Sequence, residues 1–212
     1  MNQRADLPCF LLAAGRGERM RPLTDNLPKP LLTIQNKSLL AWHLEALSNA
    51  GIKKVVINHA WLGHKIEQSL GNGNQFDLQI QYSPEETALE TAGGIVKALP
   101  LLQAEDYFLV INGDVFCPNL PIRKLLEKIV RIKNQTSHVL AHVLMVPNPV
   151  QHPEGDFYLQ GNQVSARELA NSEKLTFSGI GLYHKDLFQG LEVGKPVKLA
   201  PLLRAAMEQN KV

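Results

Sequence analysis

Four short apolar runs, each followed by a helical pattern, constrain this chain more than any other feature. Phe10 to Ala13, "KKVVINHA" (53–60), "FDLQIQYS" (76–83) and "YFLVINGD" (107–114) read as strands. Ser38 to Ala50 reads as a helix with Leu40, Leu44 and Leu47 on one face and Gly51 as its stop. "LGHKIEQSL" (62–70), ended by Gly71, and Thr91 to Leu101, ended at or soon after Pro100, read the same way. Pro121 to Ile132 follows, with Pro121 in a favourable first-turn place. This alternation predicts an α/β fold, Rossmann-like, with a mainly parallel or mixed sheet and helices on both faces.

After Gln135 the pattern changes to a strand-rich section, "HVLAHVLMV", "GDFYLQGNQVSA" and "LTFSGIGLYH", closed by a helix from Lys198 to Gln209. With no repeat and no linker, one domain over 1–212 is expected. Its first part would cover about 8–134 and its strand-rich part about 135–212. A net charge of +2 and the lack of any basic run of five argue against nucleic acid as a partner. No apolar stretch reaches the length of a membrane span and no leader pattern is seen, so a cytoplasmic protein is expected. Two cysteines far apart, Cys9 and Cys117, suit a reducing compartment. Nothing here specifies an oligomeric state.

The chemistry is concentrated in "LLAAGRGERMRPLTDNLPKPLL" (11–32), directly behind the first strand. In an open α/β sheet, ligands collect beyond the carboxyl ends of the strands. Gly15 and Gly17 would let the backbone approach a ligand and turn N–H groups toward phosphate oxygens. Arg16, Arg19, Arg21 and Lys29 supply charge for a polyphosphate. The prolines at 22, 28 and 30 would stiffen the loop. A strand-to-helix turn with solvated arginines is the plainer reading of a lone G-x-G, and neither the P-loop nor the dinucleotide spacing is present. At the other end of the nucleotide half, Asp114 in "INGDVF" could hold Mg²⁺ or simply cap a turn.

Taken whole, the opening string resembles the signature of the sugar nucleotidyltransferases, L-A-A-G-x-G-[ST]-R-[LM]-x-P-L-T-x-x-x-P-K-P-[LM]. Glu18 departs from it where Ser or Thr is commoner. The resemblance implies attack of a sugar 1-phosphate on the α-phosphorus of a nucleoside triphosphate, with pyrophosphate leaving. It implies that Leu12, Ala13, Ala14 and Gly15 line the nucleotide and that Gly17 approaches its phosphates. Arg19 would hold the pyrophosphate, Lys29 the α-phosphate and the incoming sugar phosphate, and Asp114 the Mg²⁺ cofactor. Asn112 would lie near the ribose or phosphates. "SPEETALETAGGI" is similar to the family's base-contacting L-G-T-A-G, with Thr91, Ala92 and Gly93 matching and Glu90 replacing the first glycine. Thr91 is also a good helix N-cap. Glu85 and Glu86 are equally readable as acceptors for a pyrimidine N3–H and as solvated loop carboxylates.

Asn148, Gly155 and Asp156 in "GDF", and Ser178 and Gly179 in "FSGIG", match the family's sugar-binding region, where glycine also simply marks turns. The histidines at 43, 59, 64, 138, 142, 152 and 184 show no metal-ligand spacing. Phrases such as "QYSPEETALETAGGIVKALPLL" and "KLAPLLRAAM" resemble the branch that uses UTP and N-acetylmuramic acid 1-phosphate in cell-wall sugar recycling. Mannose-1-phosphate guanylyl- and glucose-1-phosphate thymidylyl- or uridylyltransferases are the alternatives, with a non-catalytic nucleotide-binding homologue beside them. A lactyl carboxylate on the sugar would call for a cation, with Lys174, Lys195 and Arg167 as candidates. The family's second metal-binding Asp, in a D-x-G-T phrase beyond the last helix, has no counterpart in 1–212, so an apparently truncated and poorly active chain is expected.

Overall fold

A computed structural model describes residues 7–133 and 138–212. The strands are β1 (Cys9–Leu12), β2 (Thr33–Ile34), β3 (Lys37–Ser38), β4 (Lys54–His59), β5 (Gln79–Pro84), β6 (Tyr107–Asn112), β7 (Ala141–Val146), β8 (Phe157–Gln160), β9 (Gln163–Ser165) and β10 (Glu173–His184). The helices are α1 (Leu39–Ala50), α2 (Gly63–Leu70), α3 (Glu90–Leu102), α4 (Ile122–Lys133) and α5 (Leu199–Glu208). The main sheet runs β5-β4-β1-β6-β10-β8-β9, and β7 also pairs with β10. The first four strands are mutually parallel, whereas β10 lies antiparallel to β6, β7 and β8.

Side-chain alternation sorts the core into two layers. Cys9 and Leu11, Val55 and Ile57, and Leu109 and Ile111 face one side, under α1, α2 and α4. Phe10, Val56, Phe108 and Val110 face the other, under α3 and α5. β1, β4 and β6 are buried on both faces, which is why each reads as a continuous apolar run, whereas edge strand β5 alternates buried with exposed residues. The predicted leucine stripe of α1 is fully buried, Ser38 caps the helix by accepting the Ala41 N–H, and left-handed Gly51 stops it.

Some boundaries differ from the sequence reading. "FDLQIQYS" is a strand only from Gln79, because Asp77 in a left-handed conformation closes a 3₁₀ turn over Asn74–Phe76 first. The predicted division near residue 134 falls outside the described residues, and the sheet runs without interruption from β6 into β10. The β2–β3 hairpin, turned by Gln35 and Asn36 at positive φ, had not been expected. No helix among the described residues is long and apolar enough to cross a membrane.

Candidate active site

The chain leaves β1 for β4 on one side and later returns to β6 on the other, so a crevice opens at the carboxyl end of β1. In register, Leu12 stands between Asn58 of β4 and Asn112 of β6. The Gly113 N–H donates to the Leu12 carbonyl at 2.9 Å, and a Cβ on Gly113 would sit 2.9 Å from that oxygen. Glycine is therefore what lets the two strand ends close up. A cavity of about 500 Å³ lies over them.

Eleven of the expected residues line it: Leu12, Ala13, Ala14, Gly15, Gly17, Arg19, Lys29, Glu85, Thr91, Asn112 and Asp114. The two glycines of the loop do different work. A Cβ on Gly15 would meet nothing, so its bare backbone leaves room for a ligand. Gly17 has φ +69°, and a Cβ there would meet Lys29 Cβ at 2.9 Å. Thr24 Oγ1 donates to the Gly17 carbonyl at 2.9 Å, folding the loop back on itself. The amides from Ala14 to Glu18 donate to no acceptor among the described residues, an arrangement suited to phosphate oxygens.

The four cations separate by partner. Arg16 pairs with Glu18 at 3.5 Å and lies over the Trp61 ring, and Arg21 pairs with Asp25 at 2.7 Å. Neither lines the cavity, which corrects the expectation that all four would serve a polyphosphate. Arg19 lines it and has no carboxylate partner among the described residues. Lys29 reaches across the loop to Asp114, Nζ to Oδ2 2.5 Å.

A divalent cation fits this arrangement. Of the four lining carboxylates, Glu85 is committed elsewhere, Glu18 faces Arg16 and Glu90 opens α3, whereas Asp114 is exposed and already balanced by a positive charge. A hard cation completed by phosphate and water needs little more from the protein than one or two such oxygens. Behind this loop lies His43, 2% exposed. Burial lowers its pKa, opposed by the Val115 backbone and the charge of Asp114.

Asn58 was missed by the sequence reading, and it organises the far wall. The Ala13 N–H donates to its Oδ1 (2.7 Å), and its Nδ2 donates to Glu85 Oε1 (2.6 Å). Glu85 Oε2 accepts the Leu89 N–H (3.1 Å), and the residue is 7% exposed. Glu85 is thus a buried brace facing the cavity, and the solvated reading does not apply to it. The recurrence of Ile-Asn at 57–58 and 111–112, each at a strand end, was the signal that could have exposed Asn58.

Two expectations for the next loop are corrected. Leu89 occupies the N-cap of α3, so Thr91 sits inside the first turn. Gly93 does not line the cavity. Its missing side chain admits the 195–197 segment, since a Cβ would meet the Lys195 carbonyl at 2.3 Å. Glu90, where the family motif has glycine, adopts φ +58°.

A second cavity of about 310 Å³ shares Glu90, Thr91 and Asn112 with the first. Its other walls come from Asp156 and Phe157, from Phe177, and from Lys198, Leu199, Ala200, Leu203 and Arg204. Of the predicted sugar residues only Asp156 lines it, held by the Phe177 N–H to Oδ2 (2.8 Å) and paired with His152. Asn148 is spent on bracing: it accepts from Thr176 Oγ1 and donates to the carbonyls of Pro153 and Lys174. Gly155 packs against Asn148 and Gly179 against Asn112, each too close for a Cβ, while the buried Ser178 hydroxyl has no partner among the described residues. The cation candidates are corrected as well. Lys174, Lys195 and Arg167 do not line the cavity, whereas Lys198, the N-cap of α5, and Arg204 on that helix do.

Residues 9–155 match the family described as Nucleotidyl transferase. The chain belongs to that family. This nucleotidyl transferase is similar to the N-acetylmuramate alpha-1-phosphate uridylyltransferase of Neisseria meningitidis serogroup B, 47% identical over 207 residues, covering 97% of this chain and 87% of the relative. The mannose-1-phosphate guanylyltransferase catalytic subunit beta of Drosophila pseudoobscura pseudoobscura is 34% identical over 120 residues, 56% of this chain and 32% of that one. Among solved structures, a Bacillus anthracis protein described as a glucose-1-phosphate thymidylyltransferase, in complex with sucrose, superposes with TM-score 0.79 at 20% identity, covering 97% of this chain and 84% of that one. A UDP-glucose pyrophosphorylase complexed with UDP-glucose gives TM-score 0.71 at 15% identity, covering 97% and 88%. These structures share the fold of this nucleotidyl transferase.

Proposed function

We propose that this chain transfers the uridylyl group of UTP to N-acetylmuramic acid 1-phosphate, giving UDP-N-acetylmuramic acid and pyrophosphate. The observation that carries the reading is the adjacency of the two cavities, which share Glu90, Thr91 and Asn112 as walls, the first also lined by the Lys29–Asp114 pair. A triphosphate laid along the glycine loop and a sugar laid against Phe157 and Phe177 would bring their phosphates together there. The similarity to the Neisseria uridylyltransferase supports the choice of base and sugar.

In this mechanism a phosphate oxygen of the sugar forms the new bond to the α-phosphorus as the bond to pyrophosphate breaks. No covalent intermediate on the protein is required. The loop amides and Arg19 hold the β- and γ-phosphates, so the charge gathering on the leaving pyrophosphate meets fixed donors. Lys29 lies between the two phosphates that must meet, offsetting their repulsion and keeping them in line. Mg²⁺, held by Asp114, would supply further charge neutralisation at the phosphates. Glu85, held in place by Asn58, would face the base. Lys198 and Arg204 would hold the lactyl carboxylate that distinguishes this sugar from its simpler relatives.

The reading places the enzyme in the cytoplasm, in cell-wall sugar recycling, with residues up to about 134 taking the nucleotide and the rest the sugar. A pyrophosphate-release assay across UTP, dTTP, GTP and CTP with several sugar 1-phosphates tests it. Preference for UTP with N-acetylmuramic acid 1-phosphate is expected. Exclusive use of GTP with mannose 1-phosphate would overturn the substrate assignment and keep the mechanism, and no turnover with any pair would overturn both.

A further inference from the structure

At the end of the sheet opposite the nucleotide cavity, three side chains that the transfer chemistry does not use come together. His184 ends β10 beside Tyr107, the first residue of β6, whereas Asn112 ends β6 at the cavity. Five residues of strand at ~3.3 Å each separate the two places by roughly 17 Å. Asp186 Oδ2 lies 3.4 Å from His184 Nδ1 and 3.3 Å from His138 Nε2. The two imidazoles meet edge to face with centroids 4.5 Å apart, and one ligand atom from each of the three residues falls within 4.8 Å of the others.

Ligand atoms bound at about 2.0–2.1 Å in a tetrahedron stand roughly 3.3 Å from one another. Both carboxylate-to-imidazole separations match such an edge. Two imidazoles and a carboxylate form a donor set for zinc and its neighbours, unlike the oxygen ligands magnesium prefers. His184 is 7% exposed, so its ring is held in one place by the surrounding packing. The neighbouring cations leave the centre clear: Lys133 pairs with Asp106 at 3.2 Å, and Lys185 bonds to the Glu105 carbonyl. The Asp186 amide donates to His184 Nδ1 at 3.2 Å, a long bond that a metal on that nitrogen would replace.

We propose that His138, His184 and Asp186 form a Zn²⁺-class metal site, separate from the phosphate chemistry, that fastens the approach to β7 onto the turn after β10. Helical spacing of histidines could not reveal it, because the ligands come from two segments brought together by the β7–β10 pairing and the His184 N–H to Leu140 carbonyl bond.

The test titrates Zn²⁺ into the chelator-treated chain in competition with a chromophoric chelator, with Mg²⁺ in excess. A Cys117→Ser background removes the partly accessible thiol; Cys9 is buried. Binding of one Zn²⁺ per chain is expected, weakened in His138→Ala and Asp186→Asn by more than the roughly 10–100-fold that loss of an outer partner alone costs. Zinc at a hundred times the parent's dissociation constant should also raise Tm by roughly 5–11 °C in the parent and by far less in His138→Ala. His138 is half exposed, so its variant should fold. No stoichiometric zinc, or equal zinc in both variants and the parent, would overturn the site.

Discussion

Lys29 Nζ and Asp114 Oδ2, 85 residues apart in the chain, meet at 2.5 Å. In the proposed reaction these groups take different partners, the lysine two phosphates and the carboxylate a metal ion. The free protein thus stores a cation where another is to bind. Lys29→Ala should lower kcat/KM by about 10²–10³, the scale of a lost transition-state donor. The same variant should bind Mn²⁺ more tightly in the absence of nucleotide, because Asp114 loses its competing partner. Steady-state kinetics and a Mn²⁺ titration check this pair of outcomes, and weaker metal binding in Lys29→Ala would refute the competition.

The three arginines of the loop should respond unequally. Arg19→Ala should raise the KM for the triphosphate by about tenfold or more, as loss of a charge-assisted contact predicts. Arg16→Ala and Arg21→Ala remove exposed pairs worth about 0–1 kcal/mol and should leave KM nearly unchanged. Equal loss in all three would mean that the loop rearranges on binding.

Arg204 and Lys198 should act on sugar choice. Arg204→Ala is expected to weaken use of N-acetylmuramic acid 1-phosphate by about tenfold or more. It should change turnover of N-acetylglucosamine 1-phosphate, which lacks the lactyl carboxylate, far less. Comparison of kcat/KM for the two sugars decides it. A proportional fall with both would show that Arg204 serves the shared phosphate instead.

Glu90 holds φ +58° at the start of α3, a conformation that costs an L-residue roughly 1–2 kcal/mol and glycine almost nothing. Part of that is returned by glycine's freedom in the unfolded chain. Glu90→Gly should therefore stabilise the protein by about 1 kcal/mol, seen as a Tm rise of roughly 2–4 °C. An unchanged or lowered Tm would show that the Glu90 side chain contributes more than its backbone costs.

Acid should destabilise the fold partly through His142. Burial first, and the charge of Lys128 second, lower its pKa from the ordinary value. The unfolded chain then binds a proton more readily than the folded one, so stability rises with pH. The contribution is complete above the unfolded value near 6.5 and is lost as pH falls through the lower folded value. Thermal melts from pH 8 to 5 should show this decline, and His142→Leu should make it shallower.

Much of this molecule was legible before any coordinates. Strand runs buried on both faces, the leucine stripe of α1 and the glycine stops follow from local rules, and the loop behind β1 announced itself by composition. Asn58 and Glu85 were less visible, because a buried brace shows only when two strand ends and a loop are placed together. Asn148 and Gly93 illustrate the reverse: polar or small residues in a promising segment that serve packing.

By itself the sequence determined the layered α/β architecture and the glycine loop that lines the first cavity, since both rest on periodicity and contiguous chemistry. Tertiary structure alone decided which arginine has no carboxylate partner among the described residues, which carboxylate a lysine guards, and which cations line the second cavity. Each of those depends on partners that come together only when distant segments pack, and one-dimensional spacing carries no record of them.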